Sequence, residues 1–243
     1  MRKADNLAAL VPWEGMAEDF AQRCRDCLVR DHSLCASLND EELGALSEIG
    51  RRRIVPKGTV IAWAGDENAM CANVVNGALK LFKSTSDGRE QAVGLLFKGD
   101  FVGQPFNESN DITAVALSDT DLCVYPRPSF ERVLSDRPKL ERALLGRVMR
   151  SLNEARDRQL TLARKSAKAR IAGFLCDFAR ASGRDQFDLP ISRGDIADYL
   201  GLTIETVSRQ FTEFKSDGLI AADRGSRSIK ILDTPALQSL AAN

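Results

Sequence analysis

Several residue types are scarce in this sequence, and each shortage excludes something. There is a single histidine, His32, in 243 residues. No catalytic Ser/His/Asp set, nucleotide-binding glycine-rich loop or second cysteine motif accompanies it, which argues against an enzyme or an electron carrier. Net charge is also missing, with 34 Lys and Arg balanced by 34 Asp and Glu. That balance excludes a globally basic polyanion binder but leaves room for a local basic face. No apolar run approaches the ~20 residues of a membrane span. The opening stretch MRKADNLAALVPWEGMAEDF has no continuous apolar core of the kind a signal peptide needs. A cytoplasmic protein is expected, in which the six cysteines serve metal or redox chemistry rather than stable disulfides.

What is present is unevenly placed. The stretch CRDCLVRDHSLC holds Cys24, Cys27 and Cys35 together with His32. Three thiols so close together need a fourth ligand before they make a metal site. Cys71 in NAMCANVV and Cys176 in GFLCDFA lie among apolar residues and read as core cysteines, with Cys71 the reserve ligand. His32 reads more simply as a solvated loop residue than as a replacement for Cys35.

The length predicts two domains. A polar arm comes first, followed by a short helix in SLNDEELGALSEIG, capped by Asn39 or Asp40, with Leu43, Leu46 and Ile49 on one face. From Ile54 to about Tyr125, short β-rich runs alternate with glycine-bearing turns, which indicates a sandwich or barrel. A long helical stretch then starts near Pro138. Along it Leu145, Val148, Leu152, Ala155, Gln159 and Leu162 recur at alternating three- and four-residue spacing, an a/d seam for pairing with another helix. Ala155 and Gln159 weaken its middle. A helix packed on its own domain is the competing reading.

The most specific stretch is ISRGDIADYLGLTIETVSRQFTEFKSDGLI. Ser192 and Asp195 are spaced as a capping box, Gly201 permits a tight turn, Thr203 can cap a second helix and Gly218 can stop it. Ile204, Val207, Phe211 and Phe214 should face the core, leaving Glu205, Ser208, Arg209 and Thr212 outward. Such a helix fits the ~12 Å major groove. There Arg209 can fork onto guanine, Glu205 can accept from cytosine N4, and Ser208 adapts to either base. A hairpin follows, whose Arg224, Ser226 and Arg227 would touch phosphates.

A glycine-punctuated β-roll, a coiled-coil-like helix and a C-terminal winged helix together resemble the CRP/FNR superfamily of bacterial regulators. The likeness is closest at SRGDIADYLGLTIETVSR. It implies an α+β fold: an arm with the cysteine cluster (1–36), an antiparallel β-roll sensor (37–136), a dimerisation helix (137–166) and a winged helix-turn-helix (167–243). It also implies that Thr203, Glu205, Ser208, Arg209 and Thr212 face DNA, with TTGAT half-sites read as a palindrome by a homodimer. The stretch GDFVGQPFNESNDITAVAL contains no arginine. The phosphate cassette of cyclic-nucleotide-binding members is therefore missing, and no cyclic nucleotide is expected. In the oxygen-sensing, FNR-type branch, Cys123 of SDTDLCVYP would be the fourth ligand with Cys24, Cys27 and Cys35. Four thiolates suit a [4Fe–4S] cluster or zinc. Three local ligands with one distant favour the cluster; zinc, or a thiol redox switch, is the alternative. The turn carrying Thr85, Asp87 and Gly88 resembles the family's loop for contacting RNA polymerase, and is equally a simple hairpin turn.

Overall fold

The computed structural model describes residues 24–88, 90–222 and 227–242. The chain divides into two compact units, one ending at Arg150 and the other starting at Ser151, so the division falls inside a helix.

The first unit begins with short 3-10 turns at Arg30–His32 and Leu34–Ser37, followed by α1 (Asp40–Ile49). Asn39 caps α1 in a complete capping box with Glu42. Eight strands follow: β1 (Arg51–Val55), β2 (Val60–Ala62), β3 (Met70–Asn76), β4 (Leu79–Ser84), β5 (Glu90–Leu96), β6 (Phe101–Val102), β7 (Thr113–Ala116) and β8 (Thr120–Pro126). They form two antiparallel sheets, ordered β1-β8-β3-β6 and β2-β7-β4-β5. The period-two alternation of strands sends Met70, Ala72 and Val74 of β3, with Leu122 and Val124 of β8, into one apolar core. Val55, Ile61, Leu79 and Val102 complete its centre.

That alternation places Cys71, Asn73, Cys123 and Tyr125 on the opposite, outer face of the first sheet. The face is covered too. The segment around Leu34 and Leu38, α1 through Leu43 and Leu46, and α2 (Arg127–Asp136) through Phe130 and Leu134 pack on it. Leu140, in the first turn of α3 (Pro138–Arg164), joins them. Gly103 has φ 127, and a Cβ there would lie 2.8 Å from the Cys71 sulfur, so β6 can pass only with glycine at this point.

The second unit holds the end of α3, then α4 (Ala167–Ser182), β9 (Gln186–Asp188), α5 (Arg193–Leu200), α6 (Ile204–Ser216), β10 (Ile220–Ala221), β11 (Ser228–Ile231) and α7 (Thr234–Ala242). Helix α3 stops at Arg164 because Ser166 starts α4, its hydroxyl accepting from the Ala169 amide. The expected two-stranded hairpin is part of a three-stranded sheet, β10-β11-β9; the short strand β9 carries no signal of its own in the sequence. Among the described residues, no helix is long and apolar enough to cross a membrane.

Candidate functional site

Strand register builds the cysteine site. On the outer face of the first sheet Arg52, Cys123 and Asn73 stand in one row across β1, β8 and β3, and Phe101 of β6 continues it. Tyr125 lies two residues beyond Cys123 on the same face. Over this row runs the Cys24–Cys35 segment. Cys24, Cys35 and Cys123 all pack against the outer apolar cluster. The Asn73 amide nitrogen lies 3.2 Å from the Tyr125 hydroxyl and 3.9 Å from the Cys35 sulfur.

Burial and nearby charge set the chemistry of this face. Burial pushes the Cys35 thiol up; Ser33 opposes this by hydrogen bonding, and charge on Cys24 and Cys27 adds to it. Asp121 holds the Arg52 guanidinium charged, and Cys27 and Cys123 strengthen that hold. Tyr125 is buried, which keeps its hydroxyl protonated, and charge on Cys123 and Cys35 raises it further. Among the described residues, no three His, Cys, Asp or Glu side chains gather closely enough around one point for a single ion. All six cysteines are thiols, not disulfides.

The other sulfurs differ. Cys71 occupies the next row, opposite Tyr125, sealed beneath Gly103. Burial raises its thiol to about 12. Cys176 lies in the core of α4, and His32 is exposed.

The backbone of His32 lies against Gly99, whose absent Cβ would come 3.1 Å from the His32 carbonyl oxygen. Arg147 of α3 donates from one nitrogen to the Gly99 carbonyl at 2.5 Å and to the Asp100 carboxylate at 2.9 Å. The cysteine-bearing segment, the 98–100 turn and α3 are thus in contact. Nothing in the sequence pattern signals this bridge.

Helix α3 carries an exposed apolar stripe. Leu145, Val148, Met149, Leu152 and Leu160 are 41–61% exposed, and Ala155 and Gln159 are open as well. The expected seam needs correcting at its end: Leu162 is half-buried, and its methyl group lies 3.5 Å from the Cβ position of Gly201. Met149 and Leu160 were missed, because a straight helix drifts off a strict 3.5-residue repeat. The turn bearing Thr85, Asp87 and Gly88 joins β4 to β5. It is closed by the Gly88 amide on the Thr85 carbonyl at 2.9 Å and by a Thr85–Asp87 side-chain hydrogen bond.

The helix-turn-helix forms as its local chemistry dictates. Ser192 and Asp195 make the capping box, Gly201 is left-handed at φ 62, and Thr203 accepts from the Thr206 amide. Val207, Phe211 and Phe214 are buried, but Ile204 is 48% exposed. As the first residue of α6, Ile204 overhangs the packing surface, so the inward reading fails there. Glu205, Ser208, Arg209 and Thr212 are exposed along α6. The Glu205 carboxyl is held below its ordinary value by its own amide at the helix start and by Thr203. The Thr212 hydroxyl donates to the Ser208 carbonyl at 3.0 Å.

Two anchors fix α6 in place. The Arg193 guanidinium stacks 3.1 Å from the Phe211 ring centre, where burial lowers its pKa to about 10, and Lys168 pairs with Glu213. Arg227 precedes β11; Arg224 and Ser226 lie outside the described residues.

Comparison with known proteins decides the family. Residues 169–240 match the Crp-like helix-turn-helix domain and residues 52–137 the cyclic nucleotide-binding domain. The transcriptional activator protein FnrL of Cereibacter sphaeroides is 38% identical over 220 residues, 87% of this chain and 88% of that protein. The chain belongs to the CRP/FNR family of transcription regulators. A second CRP/FNR relative, the nitrogen fixation regulation protein FixK of Bradyrhizobium diazoefficiens, is 37% identical over 93% of this chain and 97% of its own length. The structure of FixK2 from Bradyrhizobium japonicum superposes with a TM-score of 0.75 at 31% identity, covering 80% of this chain and 98% of that one. The CRP/FNR architecture is therefore established: antiparallel β-roll, long helix and DNA-binding helix-turn-helix. Both relatives bear the names of regulators.

Proposed function

We propose that this chain is an oxygen-responsive transcription regulator whose Cys24, Cys27, Cys35 and Cys123 hold a [4Fe–4S] cluster. One observation carries the proposal. The sequence-distant Cys123 stands on the outer sheet face over which the Cys24–Cys35 segment runs, opposite Arg52 in the β1–β8 ladder, and Cys24, Cys35 and Cys123 pack against one apolar cluster. Four thiols are the donor chemistry that such a cluster takes. Four thiolates around iron and sulfide leave net negative charge, and Arg52, Tyr125 and Asn73 offer a cation and hydrogen-bond donors to them. Bound there, the cluster would supply an oxygen-labile clamp between the N-terminal segment and β8.

The chain's own residues give that clamp a mechanical reading. Leu34 and Leu38 seat the segment on the outer cluster, His32 rests on Gly99, and Arg147 joins the Gly99–Asp100 turn to α3. Next to Arg147, Leu145, Val148 and Met149 are exposed. This stripe is the surface offered to a second copy, and a dimer that reads a palindrome needs its two α6 helices about one DNA turn, ~34 Å, apart. Weakening the seat of the segment would remove a bias on α3. A poised dimer needs only ~1.4 kcal/mol to shift tenfold.

Within each half-site, Arg209 and Glu205 would read a G·C pair or neighbouring pairs of a TTGAT sequence, and Arg227 would contact phosphate. The Thr85–Gly88 turn is the proposed contact for RNA polymerase. The apolar filling of the roll around Met70, Leu79 and Val102, together with the arginine-free stretch before Leu117, supports a sensor that takes no cyclic nucleotide.

The test is fluorescence anisotropy on a labelled TTGAT palindrome, under nitrogen and after exposure to air. Tight binding under nitrogen that weakens at least tenfold in air supports the proposal. Equal affinity in both conditions contradicts it.

A further inference from the structure

Resting on the cluster reading, we infer that Asn73 and Tyr125 form a buried donor pair for the sulfurs of Cys35 and Cys123, and so set how firmly the site retains its cluster. Asn73 is 2% exposed and Tyr125 is 2% exposed, in a cluster otherwise built from Leu34, Leu38, Phe130 and Leu134. Polar groups placed that deep must find partners.

Asn73 stands directly across from Cys123 in the β3–β8 ladder. Its amide nitrogen reaches both the Tyr125 hydroxyl at 3.2 Å and the Cys35 sulfur at 3.9 Å. The Tyr125 ring and the Cys123 sulfur flank one point, 2.9 and 3.4 Å from the Cβ position of Gly50, so the hydroxyl-bearing ring lies against that sulfur. A neutral thiol accepts hydrogen bonds weakly, and a negatively charged sulfur accepts them well. The pair therefore has its strong partners only when these sulfurs are ligands.

The Asn73 carbonyl oxygen has no hydrogen-bond partner, so this amide carries a desolvation cost. An ordinary core position would avoid it with leucine or valine. Asn73 and Tyr125 are positioning residues: they join a ligand on the surface segment to a ligand on the sheet, and they place donors on sulfurs, which raises a cluster's reduction potential.

The experiment compares wild type, Tyr125→Phe, Asn73→Leu and a packing control, Phe130→Leu, whose ring lies 5.4 Å from that of Tyr125. All are purified under nitrogen. Iron and sulfide content, reduction potential and the decay of visible absorbance in air are measured. Tyr125→Phe and Asn73→Leu should lower the potential and shorten the half-life in air about three- to tenfold, the factor expected from one net hydrogen bond. Phe130→Leu should leave the potential unchanged. A Tyr125→Phe protein with wild-type circular dichroism that retains no iron also supports the inference. A loaded wild type with both donor variants indistinguishable from it overturns the inference alone. A wild type without iron and sulfide overturns the cluster reading and this inference with it.

Discussion

Replacing Arg147 with methionine isolates the bridge between the cysteine segment and α3. The substitution keeps an unbranched apolar stem and removes the guanidinium. Two contacts are lost: the 2.5 Å bond to the Gly99 carbonyl and the 2.9 Å bond to Asp100. A charged donor on a carbonyl contributes ~1.5–3 kcal/mol when buried. The Arg147 side chain is only 19% exposed, so most of that range applies. The Asp100 side chain is 37% exposed, so its ion pair is screened to about 0.5 kcal/mol. A total near 2–3 kcal/mol should lower the melting temperature by about 4–12 °C in a chain of this size. If half of that tie carries the bias on α3, the change in dimer dissociation constant between nitrogen and air shrinks by about 5- to 15-fold. Sedimentation equilibrium in both conditions, with iron content measured alongside, is the assay. A variant that melts earlier, keeps its iron and still shows the full wild-type response to air would refute the route through Arg147.

Three further outcomes are expected. Arg209→Ala should weaken binding to the TTGAT palindrome by roughly 1–3 kcal/mol, about 5- to 150-fold, and relax selection at one base pair while leaving the melting temperature unchanged; a uniform loss across all sequences would reassign Arg209 to phosphate. Leu152→Asp puts a charge in the exposed stripe of α3 and should raise the dimer dissociation constant at least about a hundredfold without unfolding the chain, as light scattering would show. Gly50→Ala would place a Cβ 2.9 Å from the Tyr125 ring and 3.4 Å from the Cys123 sulfur. It should cost ~1–3 kcal/mol by overpacking and reduce iron retention, read by thermal melting and iron analysis, although residue 50 is no ligand.

Legibility in the sequence followed the range of the interactions. The helix-turn-helix could be read because its determinants are local. The Ser192–Asp195 box, Gly201 and Thr203 each act within four residues and are formed as expected. Ile204 misled, since periodicity does not say where a partner surface ends. The stripe on α3 was legible in kind but shifted in detail, with Leu162 turned toward Gly201 while Met149 and Leu160 stay open.

The row Arg52–Cys123–Asn73 was invisible, because register between strands far apart in sequence is set by the whole sheet. Strand β3 hid it further. Residues 70–75 are all buried, so the alternation that separates the core face from the cysteine face leaves no polar trace except Asn73. The bridge from His32 through Gly99 to Arg147 is likewise a product of tertiary packing between elements whose sequences show no mutual pattern.

Metal and sulfide analysis of protein purified under nitrogen tests the central claim most directly, with wild type set beside a variant in which Cys24, Cys27, Cys35 and Cys123 are all serine. The account predicts iron and acid-labile sulfide in equal, fourfold amounts per wild-type chain, lost in air and absent from the variant. Stoichiometric zinc without sulfide, or wild-type protein with neither metal nor sulfide, would contradict it.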